Sequence, residues 1–210
     1  MFSKIKFLPL AGFFSLCIAF LMQFIVAFSR EDASFFTIFR LLSFFTIDSN
    51  LLLLFYFSSI LFFPDHKSGQ FFKSYPVSTA LVSYLSFVFI IYHLLLINTW
   101  NPTGMQYYAA AVFHIVNPLI MLAYWIYSVE KEKLPYSNVF YWLIFPTVYF
   151  IYVVLVGMLD SKFPYPFFDL NKVSLLQMLS MALILLFCLM LISSAYIFIG
   201  QQIISSKSKK

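Results

Sequence analysis

Charge is sparse in this chain, glycine sparser, and cysteine almost missing. Of its 210 residues only 10% are Asp, Glu, Lys or Arg, while 62% are hydrophobic. A soluble core of this size cannot hide so much apolar surface. The five glycines stand far apart, so there is no glycine-rich loop to cradle a phosphate. No His and Cys residues stand at metal-ligand spacing, and no metal or other cofactor is expected. Cys17 and Cys188 fall near the middle of apolar runs. They read as packing residues, since disulfides belong to exposed, oxidising surfaces. No carboxylate pairs span the apolar runs and no internal repeat is visible, which counts against a secondary transporter.

What the chain has in plenty is long apolar runs. Six of them lie at about 7–28, 41–63, 76–97, 107–128, 137–158 and 173–199. Each can cross about 30 Å of hydrocarbon at about 1.5 Å per residue. They do not alternate in polarity, so helices are expected and barrel strands are not. The predicted fold class is all-α, one bundle of six transmembrane helices over 1–204, followed by a disordered basic tail at 205–210. Lys4 and Lys6 before the first run imitate a signal peptide. That run is too long for an h-region and is kept as span one.

A net charge of +5 would suit nucleic acid, yet the charges sort by topology. With six spans both termini share a side. That side carries Lys4, Lys6, Lys67, Lys73, Lys131, Lys133, Lys207, Lys209 and Lys210. The opposite side carries only Arg30, Arg40, Lys162 and Lys172, nine and four making up the 13 cations. The positive-inside rule places both termini in the cytoplasm, and no nucleic-acid partner is expected.

The polar residues inside the apolar runs carry the functional reading. Phe44-Phe45-Thr46-Ile47-Asp48-Ser49-Asn50 puts four polar side chains just inside span two. In lipid each needs a partner or a function. Helical spacing puts Ser43, Thr46 and Asn50 on one face. Asp48 falls elsewhere and is expected to pair with Arg40 or Lys172; either it or Asn117 could orient an imidazole. Span four holds His114 and Asn117 before Pro118, where the helix should kink, because proline cannot donate to the His114 carbonyl. Gln23, His93, Tyr149 and Tyr152 come late in outward spans; Thr46, Asn50, His114, Asn117 and Gln177 come early in inward ones. All therefore sit in the outer half of the bilayer, and the inner half looks bare of comparable groups. The expectation is one polar pocket opening outward. Its candidate catalytic pair is Thr46 as nucleophile and His114 as base. The candidate binding residues are Ser49, Asn50, His93, Asn117, Tyr149 and Gln177. An asparagine or a tyrosine would serve a developing oxyanion. The plainer alternatives are hydroxyls bonded to their own i−4 carbonyls and a network that only locks the bundle. Two prolines and four aromatics at 163–170 suggest an outer lid or rim.

Phe45-Thr46-Ile47-Asp48-Ser49-Asn50 resembles the span-two signature of a bacterial six-span family labelled Pr-six-Pr. His114 with Pro118, Pro146 with Tyr149, Gly157, and Tyr165-Pro166-Phe167-Phe168-Asp169 resemble its later motifs in order and spacing. More distantly, the layout is similar to the eukaryotic androgen-induced protein family, which includes the androgen-dependent TFPI-regulating protein. Members of that family are multi-pass hydrolases of fatty acid esters of hydroxy fatty acids, using an intramembrane threonine and a histidine. The resemblance implies those roles for Thr46 and His114, a membrane lipid or lipid-like ester as partner, and a bacterial inner membrane as location. The surroundings of Thr46, with Ser49 and Asn50, are of the bacterial type. The alternative expectation is a non-enzymatic protein that binds or transports a lipid or small molecule in the same pocket.

Overall fold

In hydrocarbon a backbone N–H or C=O has no water to bond, so each apolar run closes its own hydrogen bonds as a helix. The structure, a computed structural model, describes residues 7–208. Lys4, Lys6, Lys209 and Lys210, four of the cations that set the expected topology, lie outside them. The described residues form helices and no strands. Six helical stretches are long and apolar enough to cross a membrane: Phe7–Phe28, Phe45–Phe62, Tyr75–Leu96, Gly104–Ser128, Asn138–Asp160 and Leu175–Ser206. The chain is an all-α, multi-pass bundle, as its sequence predicts.

In chain order the helices are α1 (Phe7–Phe28), α2 (Phe36–Leu42), α3 (Phe45–Phe62), α4 (Lys67–Lys73), α5 (Tyr75–Ile91), α6 (Gly104–Ala111), α7 (Asn117–Ser128), α8 (Asn138–Trp142), α9 (Ile144–Asp160) and α10 (Leu175–Ser208). Helices α3 and α5 are central and half buried, whereas α10 is less than a fifth buried and lies at the edge. Helix α1 packs on α3, α6 and α7; α5 packs on α3, α7 and α10. A side chain at Gly12 of α1 would overlap the Phe57 ring of α3, so the close approach needs a glycine there. Leu155, Leu159, Leu176, Leu183 and Phe187 are exposed on the outside, where lipid tails would meet them.

Four features depart from the sequence reading. Span two starts at Phe45, not at residue 41, because the chain breaks at Ser43 and at Phe44, which is extended with ψ 117°. Ser43 therefore does not share the α3 face; its hydroxyl donates to the Phe39 carbonyl at 2.8 Å. At its far end α10 runs on to Ser208, so 205–208 continue a helix instead of starting a disordered tail. Extending an established helix costs little, because its nucleation is already made. The half of the bundle away from Thr46, expected to be bare, is not. Tyr56 bonds Ser78 at 2.8 Å, Trp125 Nε1 donates to Thr79 at 3.1 Å, and the Tyr84 hydroxyl donates to the Trp142 carbonyl at 2.6 Å. These are closed pairs that tie neighbouring helices together. Asp48, finally, makes no ion pair among the described residues. Arg40 pairs with Asp160 and Asp32, and Lys172 with Asp169 at 3.0 Å, so both expected cations are taken. Cys17 and Cys188 are free, in keeping with packing roles.

The segment after α9 roofs one end of the bundle. Ser161 closes α9 in the left-handed region, φ 56°. Pro164 and Pro166 forbid a longer helix, and a single 3-10 turn forms at Pro166–Phe168. Phe168 is buried edge-on against Phe150, ring centroids 5.3 Å apart. Tyr165 stacks on Phe167 at 5.2 Å and meets Phe44 edge-on at 5.8 Å. The roof is seated on α9 through Gly157, where any Cβ would overlap the Phe163 ring. Gly157→Ala should therefore lower thermal stability by about 1–3 kcal/mol through overpacking. Adding Phe163→Ala should restore part of that loss; a double variant no better than the single one would count against this seat.

Candidate functional site

The site begins with the break before α3. Phe45 N–H donates to the Tyr149 hydroxyl at 3.0 Å, and that hydroxyl donates to the Ser43 carbonyl at 2.6 Å. One tyrosine from α9 thus satisfies backbone groups on both sides of the break. Tyr152 does similar work one turn on, donating to the Phe39 carbonyl at 3.0 Å. Tyr149 lines an apolar crevice, but its hydroxyl is a clamp on the backbone. The clamp fixes where α3 starts, and Thr46 is its second residue. There the helix dipole favours a developing negative charge.

Span four is built around its proline. Pro118 has no N–H, and its ring would collide with the preceding turn. The chain relieves this by widening to a π turn at Val112–Val116, in which Asn117 N–H reaches back to the Val112 carbonyl. The Phe113 carbonyl then has no helical donor, since Asn117 is committed and Pro118 has none to give. Asn50 Nδ2 fills the gap, donating to the Phe113 carbonyl at 3.2 Å and to the Thr46 carbonyl at 2.8 Å. Asn50 Oδ1 accepts from Asn117 Nδ2 at 3.2 Å, and Asn117 Oδ1 accepts from the Ser15 hydroxyl at 2.7 Å. Asn50 and Asn117 are wholly buried. They line neither cavity described below. They tie α1, α3 and α7 together and hold the backbone beside Thr46 and His114. Asn50→Leu strands the Phe113 carbonyl and the Asn117 amide. It should cost about 0.6–1.7 kcal/mol of stability. An Asn50→Leu, Asn117→Leu double variant should lose less than the sum of the two, because they share one network. Additive losses in thermal unfolding would dissolve the network.

Above this floor Thr46 and His114 meet. Thr46 Oγ1 lies 3.2 Å from His114 Nε2, and His114 Nδ1 lies 2.9 Å from the Ala110 carbonyl. A carbonyl only accepts, so Nδ1 carries the proton and Nε2 presents its lone pair to the threonine hydroxyl. The threonine thus escapes the common i−4 arrangement, while Ser49 adopts it, donating to the Phe45 carbonyl at 2.7 Å. Ser49 is a backbone-bonded core residue and not a ligand group. The imidazole is oriented by a carbonyl, not by Asp48 or Asn117. Its plane is set by Tyr92, stacked on it with centroids 4.1 Å apart. Tyr92 opens a second π turn, Tyr92–Leu96, at the end of α5. His93 sits behind Tyr92, edge-on at 5.2 Å, with Nδ1 on the Phe89 carbonyl at 2.7 Å. It lines neither cavity. Gln177 lines neither cavity. Its Oε1 accepts from Ser174 N–H at 2.8 Å while the Ser174 hydroxyl accepts from Gln177 N–H at 3.3 Å, a capping box that starts α10.

Two cavities meet at Thr46. The larger, about 450 Å³, is a vestibule lined by Gln23, Arg40, Thr46, Gln106, His114 and Tyr165, among others. The smaller, about 60 Å³, is an apolar crevice between α5, α9, α10 and the roof. Tyr92, Leu96 and Tyr165 belong to both. Thr46 and His114 thus line one shared cavity, together with Pro164, Tyr165 and Pro166 of the segment above them. Sequence reasoning passed over Tyr165 as a site residue, although it belongs to a motif already singled out. Its hydroxyl stands beside Thr46 and Tyr149, and burial pushes its pKa up to about 12, so it stays a hydrogen-bond donor at neutral pH. No group of three or more His, Cys, Asp or Glu among the described residues is placed to hold a metal ion. No family model, curated protein or solved structure matches the chain.

Proposed function

We propose that the protein is an intramembrane threonine hydrolase that cleaves a fatty-acid ester reached from the outer leaflet. The observation that carries this reading is the hydrogen bond from Thr46 to an imidazole nitrogen whose partner nitrogen is held by a carbonyl. That is the arrangement a hydroxyl nucleophile needs. Thr46 Oγ1 attacks the acyl carbonyl as its proton passes to His114 Nε2. The carbonyl oxygen becomes an oxyanion facing the Tyr165 hydroxyl and the first turn of α3. His114 returns the proton to the departing alkoxide, leaving an acyl ester on Thr46. Water from the vestibule, deprotonated by His114, then attacks that ester; Thr46 recovers its proton and the fatty acid leaves. The resemblance to the androgen-induced protein family supports the substrate class. A fluorophosphonate probe tests the nucleophile directly: mass spectrometry should find the adduct on Thr46. A protein that holds lipid in the vestibule but neither reacts with the probe nor turns over esters would be a binding or transport protein instead.

The same reading sets the membrane orientation. With the Thr46 pocket opening outward, both termini face the cytoplasm of a bacterial inner membrane, in keeping with nine cations on that side and four on the other, 13 in all. Reporter fusions after Lys133 and after Lys162 should report opposite sides. Agreement between the two would break the span order.

A further inference from the structure

We infer that the two cavities divide the substrate at its ester bond, the acyl chain lying in the crevice and the alcohol portion in the vestibule. This rests on the hydrolase reading above and adds an orientation and a specificity to it. Thr46 borders both spaces, but His114 borders only the vestibule. The imidazole must reprotonate the departing alkoxide and later deprotonate water, so leaving group and water belong on its side of the bond. The vestibule also holds the polar side chains Gln23, Gln106, Arg40 and Lys162. The acyl chain needs neither proton nor water. Beyond Thr46 the crevice meets only aliphatic and aromatic groups, among them Val88, Phe150, Ala182 and Leu186. It follows α10 from Ala182 to Leu189, about 10 Å at helical rise. Leu186 is half-buried, so the wall that α10 gives the crevice is itself partly exposed.

The narrowness of the crevice sets the class of ligand: an ester whose acyl part is a single unbranched alkyl chain and whose bulk and polarity lie on the alcohol side. A chain moving from lipid into this crevice gains no hydrophobic free energy, because the tails it leaves are equally apolar. The crevice must therefore select by shape. Filling it should penalise long acyl chains more than short ones.

The test uses the full chain in phosphatidylcholine nanodiscs with two probes. The first is hydrolysis of p-nitrophenyl acetate and p-nitrophenyl laurate. Ala182→Phe should lower the laurate-to-acetate ratio of kcat/KM about tenfold, the range expected for steric discrimination in an apolar pocket. Leu186→Trp, at a half-buried site less costly to folding, should lower the same ratio. The second probe is a long-chain ester carrying a diazirine at the end of its acyl chain, read by cross-linking without turnover. It should label residues 182–189, and Leu186→Trp should displace the label. A ratio unchanged in both variants, or cross-links confined to vestibule residues such as Gln23 and Gln106, overturns the division. Cross-links at 182–189 without hydrolysis of any ester would retain the crevice as an acyl-chain site and discard the hydrolase.

Discussion

Thr46→Val should abolish ester hydrolysis, a loss of at least about 10³-fold, while the bundle stays folded. Valine keeps the branched shape of threonine and loses the hydroxyl that donates to His114 Nε2. His114→Ala should fall to a similar floor, and the double variant should fall little further, because nucleophile and base act as a unit. Thr46→Ser keeps the hydroxyl and should retain measurable turnover. The assay is hydrolysis of a long-chain ester by purified protein in lipid, with thermal unfolding followed alongside. Stability separates the two readings of this buried pair. If the hydrogen bond only fastened α3 to span four, each single variant would strand a partner and melt lower, by about 0.6–1.7 kcal/mol. Inactive variants that unfold with the wild type establish a reacting pair. Variants that melt lower, beside a wild type inert toward esters, would make the pair a fastener.

Tyr165→Phe should lower kcat by about 10²–10³-fold, the usual cost of removing one donor from a developing oxyanion. Phenylalanine keeps the stack on Phe167 and the edge contact with Phe44, so the roof remains in place. KM should change much less than kcat, since the donor matters most once charge gathers on the oxygen. Fluorophosphonate labelling of Thr46 should slow in parallel. Tyr149→Phe serves as the contrast. It removes the clamp on the Ser43 carbonyl and Phe45 N–H, so its main effect should be on stability. Equal kinetic losses from both tyrosines, with both proteins equally destabilised, would deny Tyr165 a separate role.

The sequence by itself determined the class of the fold and the depth of its polar groups. Both are properties of position along one chain. An apolar run of sufficient length must cross hydrocarbon, and a residue early or late in that run lies near one surface. The pairing of Thr46 with His114 was open to inference for the same reason, since each stands early in an inward span. What depth does not contain is the face each helix turns to its neighbours. Gln23 reaches the vestibule, but Gln177, equally shallow, caps the start of α10, and His93 hides behind Tyr92. The two asparagines answer the π turn that Pro118 forces, and Tyr149 answers a chain break that hydropathy does not register. Thr46 and His114 stand 68 residues apart. Whether their atoms touch depends on helix rotation and packing, which the tertiary structure set through Gly12, the Asn50–Asn117 network and the roof seated on Gly157. Tyr165 comes from a loop that no periodicity describes, and only the folded chain brings its hydroxyl beside Thr46.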